Sequence, residues 1–324
     1  MNPFTESAEK SVSGFGEKRI LAKIRDWLGA SNSPTPYGMG DDCAVLPIGE
    51  TNFNLITSDS LVYGQHFDDT VLPEDAGAKL LNRSVSDIAS MGGRPSGAVV
   101  NLFLAPAVHI DWLRGFYAGI EAAASKAQVK ILGGDLCATD GLVGASVTVW
   151  GEAPRPITRE GARVGDAIMV TGSLGGSIRG KHFRFTPRVE EGSWLASDPY
   201  VHSMIDLSDG MGKDLPELVP DGCVAALRCK GLPASEDANI LAAKTGRTVL
   251  SHILDDGEDF ELLFTLDPAC SIPRFIDSWR ERFTTGITHI GTISYAAASG
   301  ALVIDSDTGC PISVEAGYEH LRES

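Results

Sequence analysis

A chain of 324 residues with 43% hydrophobic content is long enough for two ordinary domains, each with its own core. Its formal net charge of −16 excludes a general nucleic-acid binder, which needs a basic surface to displace counterions. The six cysteines form no C-x-x-C pair, the opening MNPFTESAEK lacks an apolar targeting core, and no long apolar run occurs, so a reduced, unexported, cytoplasmic protein with no membrane partner is expected.

Residues 16–30 place Ile20, Leu21, Ile24, Trp27 and Leu28 at helical spacing, and the SNSPTP stretch after them is loop. GMGDDCAVLP (38–47) then sets Asp41 and Asp42 side by side in a glycine turn. A turn needs only one Asp, so the pair is either a decorated turn or part of a cation site that gathers carboxylates from separate segments. FNLIT (53–57) reads as a strand, 73–91 as a helix beginning at Pro73, GAVVNLFLA as a strand, 110–127 as a helix, and VKIL and 144–152 as strands. Strands alternating with helices give a mixed α/β (α+β) class. The prolines, glycines and charges of GEAPRPITREGARVGD break that pattern and predict a domain boundary near residue 153, separating 1–152 from 153–324. The strand AIMVTG opens the second half. Helical stretches follow near 235–246 and 272–282, with strands near 223–228, 260–266 and 287–293.

Carboxylates recur where strands are expected to end: Asp59 in FNLITSD, Asp135 after Gly133 and Gly134 in VKILGGD, and Asp206 and Asp209 in MIDLSDG. Ligands of open α/β sheets gather beyond strand carboxyl ends, so these acids together with Asp41 and Asp42 point to a divalent-cation site. Asp87 lies at the edge of the stripe formed by Leu80, Leu81, Val85 and Ile88, where it is either a ligand or an i, i+4 partner of Arg83. GGSIRGKH (175–182) has P-loop spacing, but His182 stands where that motif needs Ser or Thr, and FRFTPRVEEG soon interrupts the following helix. A glycine loop with another job is expected there. By themselves DDGEDFELLFTL (255–266) reads as a turn with solvated acids leading into a strand, and His66 as an ordinary satisfied histidine.

Taken in order, GMGDDCAVL, ITSDSLVYGQHF, NRSVSDIASMGGRP, ILGGD, MIDLSDGMGKDL and DGEDFELLFT resemble the motif series of the thiamine-monophosphate kinase family. That family sits in the superfamily of aminoimidazole ribonucleotide synthetase and selenophosphate synthetase. The resemblance implies a two-domain fold of the aminoimidazole ribonucleotide synthetase type, its N-terminal domain forming a barrel within a homodimer. It also implies Mg2+-assisted transfer of a phosphoryl group from ATP to thiamine monophosphate. By the same resemblance Asp42, Thr57, Ser58, Asp59, Asp87, Asp135, Asp206 and Asp209 bind magnesium. Gly134, Asp135, Arg159 and Ser208 meet the nucleotide, and His66, Glu258 and Tyr318 meet the acceptor. The chain departs from the family pattern at Tyr63, at Leu136, Cys137 and Ala138, at Asp256 and at Glu315. Those departures keep two alternatives in view: an ATP-using relative with another acceptor, and a paralogue that binds without turnover. The acceptor phosphate, with a second pKa of about 6, is already ionised at neutral pH, so no general base is expected.

Overall fold

A computed structural model describes residues 3–5, 7–34, 37–49, 51–296 and 301–312. The first half runs α1 (Val12–Phe15), α2 (Glu17–Leu28), β1 (Ala44–Ile48), β2 (Asn52–Val62), α3 (Pro73–Ser90), β3 (Arg94–Leu104), α4 (Ile110–Ala127), β4 (Lys130–Ala138) and β5 (Gly144–Ala153). Its five strands form an open sheet in the order β1-β2-β5-β3-β4, antiparallel except for the β3–β4 pair. The parallel pair follows from the α4 crossover, which returns the chain in the same direction.

Helix α3 starts where expected because Pro73 fits the first turn, which also carries Glu74 and Asp75 to complement the helix dipole. Its apolar stripe, Leu80, Leu81, Val85 and Ile88, is fully buried over Leu55, Leu61, Val147 and Val149 of the sheet. Two glycines let α3 and α4 touch backbone to backbone. A Cβ on Gly77 would lie 1.9 Å from the Phe116 carbonyl oxygen, and one on Gly119 1.9 Å from that of Glu74.

The second half comprises β6 (Ala167–Thr171), α5 (Lys181–Arg184), α6 (Val189–Ser197), β7 (Val201–Asp206), α7 (Met211–Asp214), β8 (Cys223–Leu227), α8 (Glu236–Thr245), α9 (Val249–Asp255), β9 (Leu262–Leu266), α10 (Ile272–Arg282), β10 (Ile287–Tyr295) and β11 (Val303–Asp305). The six strands order as β11-β8-β10-β6-β9-β7. Strands β6 and β9 are buried on both faces, with Ile168, Val170 and Leu263 in one core and Met169, Phe264 and Trp279 in the other. Helix α6 joins the halves: a Cβ on Gly192 would sit 2.1 Å from the carbonyl oxygen of Ala89 in α3.

Two expectations about strand ends change. Asp59 lies inside β2, paired with Val147, and Asp135 lies inside β4, paired with Asn101. Only Asp206 closes its strand. Both strands continue past their polar stretch because their neighbours satisfy the backbone groups there, whatever the side chains.

Candidate active site

Helix α3 is the axis of the site. Lys79, Arg83, Asp87 and Ser90 lie along about three turns of it at helical spacing. From one end to the other they meet four groups of partners. The Lys79 ammonium donates to Glu258 at 2.8 Å and lies 3.3 Å from His182 Nδ1. Arg83 meets Asp59 at 3.2 Å and donates to the Ser60 carbonyl at 3.2 Å, so it does not form the intrahelical pair with Asp87. Asp87 instead accepts the Thr57 hydroxyl at 2.5 Å, and beside it Ser86 donates to Asp206 of β7. At the far end Ser90 donates to Asp42 at 2.5 Å, while the Arg159 guanidinium grips the same carboxylate.

The acids of GMGDDC are thus divided between two jobs. Asp41 accepts its neighbour's amide and the backbone N–H of Arg159, each at 2.9 Å, and so shapes the turn. Asp42, with only 2% of its side chain exposed, points into the cluster. Burial, followed by the charge of Asp42, pushes Asp41 up to about 6. Burial and the Asp42 charge raise Asp206 to about 7. Burial, Asp59 and Asp206 hold Asp87 well above the usual carboxylate range. These carboxylates repel one another in a low-dielectric setting, the arrangement that a divalent cation relieves. Among the described residues no three acids, histidines or thiols converge closely enough as they stand to hold one ion; the Thr57, Ser84 and Ser90 hydroxyls each bond one of the acids instead.

Two clefts open on this axis. One, of about 530 Å³, is bordered by Arg159, Asp41, Ser208 and Asp209, and by Lys18 and Leu21 of helix α2. The other, of about 260 Å³, brings His66 together with Glu258, residues almost two hundred positions apart, and adds Lys79, Arg83 and His182. Ser208 and Asp209 line both. His66 Nδ1 accepts the Val62 amide at 3.1 Å, which places the proton of a neutral ring on Nε2. Burial would raise the Glu258 carboxyl, but His182 and Lys79 outweigh it and hold it down at about 2. Its backbone is left-handed, with φ of 52°, and is secured by its N–H on the Ser208 carbonyl at 2.7 Å. A cavity of about 580 Å³ beside Arg155, Arg163 and His202 is lined by none of the cluster acids.

Other expected residues lie apart. Asp135 shares a sheet face with Asn101, Ser146 and Ser60, opposite the face that carries Thr57 and Asp59 towards α3. Ser58 also faces away and bonds to Thr148 and the Val147 carbonyl. Gly134 has a packing reason to be glycine, since a Cβ there would stand 1.7 Å from the Val100 carbonyl oxygen. Asp209 pairs with Lys213 at 2.6 Å. Tyr318 and Glu315 lie outside the described residues.

The glycine loop 175–182 finds its partners in the acidic loop, and the acids expected to be solvated are buried or engaged. Asp259 accepts the Gly175 N–H and Asp256 the Gly176 N–H, both at 2.8 Å, and Lys181 meets Glu261 at 2.9 Å. The amides and the lysine that a P-loop would offer to phosphate are therefore taken. Asp256 also faces His252 at 2.9 Å, so this departure from the family pattern is a strut. Tyr63 donates to Asp69 at 2.6 Å on the surface, and Leu136, Cys137 and Ala138 lie on exposed β4. Sequence reasoning passed over Lys79, Arg83 and His182 as site residues; the i, i+4 series Lys79, Arg83, Asp87 was the available signal.

Residues 40–153 match the family described as AIR synthase related protein, N-terminal domain. The thiamine-monophosphate kinase of Rhodopirellula baltica is 42% identical over 241 residues, 71% of this chain and 76% of that protein. The Haemophilus influenzae thiamine-monophosphate kinase is 30% identical over 312 residues, 88% and 92% of the two chains. A solved structure described as AaThiL complexed with AMPPCP and TMP superposes with a TM-score of 0.83 at 25% identity, covering 98% of this chain and 100% of that one. With more than two thirds of such a relative matched and the ordered acids folded along one helix, the chain belongs to the thiamine-monophosphate kinase family of the AIR synthase superfamily.

Proposed function

We propose that this chain transfers the γ-phosphoryl group of ATP directly to the phosphate of thiamine monophosphate, giving thiamine diphosphate and ADP. The observation that carries the reading is the shared wall. Two clefts of different character meet at Ser208 and Asp209, beside carboxylates that are buried and short of cations. ATP occupies the larger cleft, with Arg159 and Ser208 at its phosphates. The acceptor occupies the smaller cleft, its aminopyrimidine on Glu258 and its phosphate near His66. An ionised acceptor oxygen attacks the γ-phosphorus, the bridging P–O bond breaks, and its electron pair leaves on the β-phosphate of ADP. No proton has to move, so the residues act by positioning and charge.

The donor set suits magnesium: all oxygen, mostly carboxylate, and self-repelling until a cation enters. Asp42, Asp59, Asp87, Asp206 and Asp209 would hold it, with Thr57 beside them; Ser58 and Asp135 lie on the opposite sheet face, away from that set. Bound magnesium supplies neutralisation of the crowded phosphates, where one like-charge pair at 4 Å costs about 4 kcal/mol at an effective dielectric of 20.

The same reading takes residues 1–152 and 153–324 as two domains of a cytoplasmic homodimer whose first sheets close into a shared barrel. Support comes from β4, an edge strand exposed at every residue that carries Leu132 and Leu136, each more than 60% exposed. Such an edge calls for a partner. Among the described residues no helix is long and apolar enough to cross a membrane, and all six cysteines are free thiols.

Incubation of the purified protein with ATP, Mg2+ and thiamine monophosphate, followed by separation of the products, tests the reading. Thiamine diphosphate formed in step with ADP is expected. ADP without thiamine diphosphate would move the search to another acceptor, and no ATP consumption at any Mg2+ concentration would sink the kinase mechanism.

A further inference from the structure

We propose that Arg83 is a catalytic residue, a fixed guanidinium that binds the phosphate of the acceptor as it receives the new phosphoryl group. The proposal rests on the acceptor site described above and extends it to a residue to which the resemblance gives no site role. Three observations carry it. First, Arg83 lies on α3 one turn after Lys79, which meets Glu258, and one turn before Asp87 of the carboxylate cluster. A molecule held by Glu258 at one end and reaching the cluster at the other must pass it. Second, Arg83 lines the 260 Å³ cleft with His66 and Glu258, and its side chain is 17% exposed. Third, among the described residues it has two polar contacts, Asp59 at 3.2 Å and the Ser60 carbonyl at 3.2 Å. A guanidinium has five N–H donors, so donors remain for a phosphate, which it recognises in fork geometry.

Lys79 does not compete for this role. It is 1% exposed and surrounded by Glu258, His182 and the Phe183 ring. The rival account makes Arg83 only the counter-ion of Asp59. The two accounts diverge when the acceptor phosphate is deleted. A guanidinium that touches that phosphate loses its effect when thiamine replaces thiamine monophosphate, whereas a counter-ion of Asp59 affects both ligands alike.

The test compares the unmodified protein with Arg83→Ala and Arg83→Lys. Affinities for thiamine monophosphate, thiamine and a non-hydrolysable ATP analogue are measured by calorimetry, and turnover is followed across a range of Mg2+. Arg83→Ala is expected to lower kcat/KM for thiamine monophosphate about 100-fold, in line with loss of one charge-stabilising donor. Thiamine and nucleotide affinities should stay within about twofold. Arg83→Lys should recover only part of the loss, because an ammonium lacks the fork, and added guanidinium ion should restore part of the Arg83→Ala rate. Unchanged thiamine monophosphate affinity with only a shifted Mg2+ requirement would overturn the proposal and leave Arg83 as a counter-ion. If the unmodified protein binds neither thiamine nor thiamine monophosphate, the acceptor reading fails by itself. Inorganic phosphate is then the probe, and Arg83 keeps its role only if Arg83→Ala weakens phosphate binding. Should Arg83→Ala fail to fold, Arg83→Lys carries the same comparison.

Discussion

Two groups of acids, one around α3 and one in the acidic loop, are similar in burial and differ in charge balance. On the α3 side Asp41, Asp42, Asp59, Asp87 and Asp206 are served by two cations, Arg159 and Arg83, and otherwise by hydroxyls and, for Asp41, backbone amides. On the acidic-loop side Glu258 has Lys79, Glu261 has Arg188 and Lys181, and Asp256 has Arg247, with His182 and His252 as further hydrogen-bond partners of Glu258 and Asp256. Asp259 completes that group, with the Gly175 amide on Oδ2 and Lys181 at 3.6 Å from Oδ1. Buried acid alone does not mark a ligand site. The ratio of acids to cations does: a group in deficit has affinity left for something that arrives later, and a balanced group holds the fold.

Four substitutions test that distinction, from the largest effect to the smallest. Asp87→Asn should lower turnover about 1,000-fold or more while leaving the melting temperature unchanged or higher, because it removes a repelling charge and breaks no ion pair. Substantial activity at saturating Mg2+ would mean that the deficit serves no cation. Glu261→Gln should do the reverse in kind. Removing the buried charge that Arg188 and Lys181 share costs up to about 3 kcal/mol of stability, read from urea unfolding, because both cations are partly exposed and keep weaker contacts with Glu191 and Asp259. A cost near zero would show that the two groups are not different.

Glu258→Gln should raise the acceptor KM about tenfold with ATP affinity close to normal, and it should also change the acid limb of stability. The Glu258 carboxyl is held down at about 2 against an ordinary 4.5, so its contribution is complete above pH 4.5 and lost as pH falls from there towards 2. A melting-temperature profile of the variant should be flatter over that window; identical profiles would place the shift elsewhere. Asp256→Gly should cost about 1 kcal/mol by leaving the Gly176 N–H and His252 less well satisfied. Acceptor kinetics should move less than about twofold, and a larger change would make Asp256 part of the pocket chemistry.

How much of this was legible beforehand depended on whether function interrupts pattern. Helices 73–91, 110–127 and 272–282 were readable to within a residue because apolar spacing, end signals and tertiary packing agree there. The strand expected at 53–57 runs from Asn52 to Val62, since Thr57, Ser58, Asp59 and Ser60 make a polar stretch that reads as an ending. The glycines of ILGGD hide the length of β4 in the same way. Strand β1 was not separated from its turn. Most of the acids came from their recurrence near expected strand ends, and the pairing of His66 with Glu258 from the ordered motifs. Lys79 did not, because a lysine on an amphipathic helix normally faces water, and only the second half of the chain supplies the carboxylate that buries it.

The glycine contacts of α3 have one more consequence. Wedged against α4 through Gly77 and Gly119, and against α6 through Gly192, the helix has no room to roll or slide. It therefore acts as a gauge bar, with Lys79 and Ser90 fixed about 16 Å apart at 1.5 Å per residue. In the proposed function donor and acceptor would register against this one scale, whose divisions are helical turns. An acceptor one bond too long or too short between its ring and its phosphate would then stop at the wrong mark.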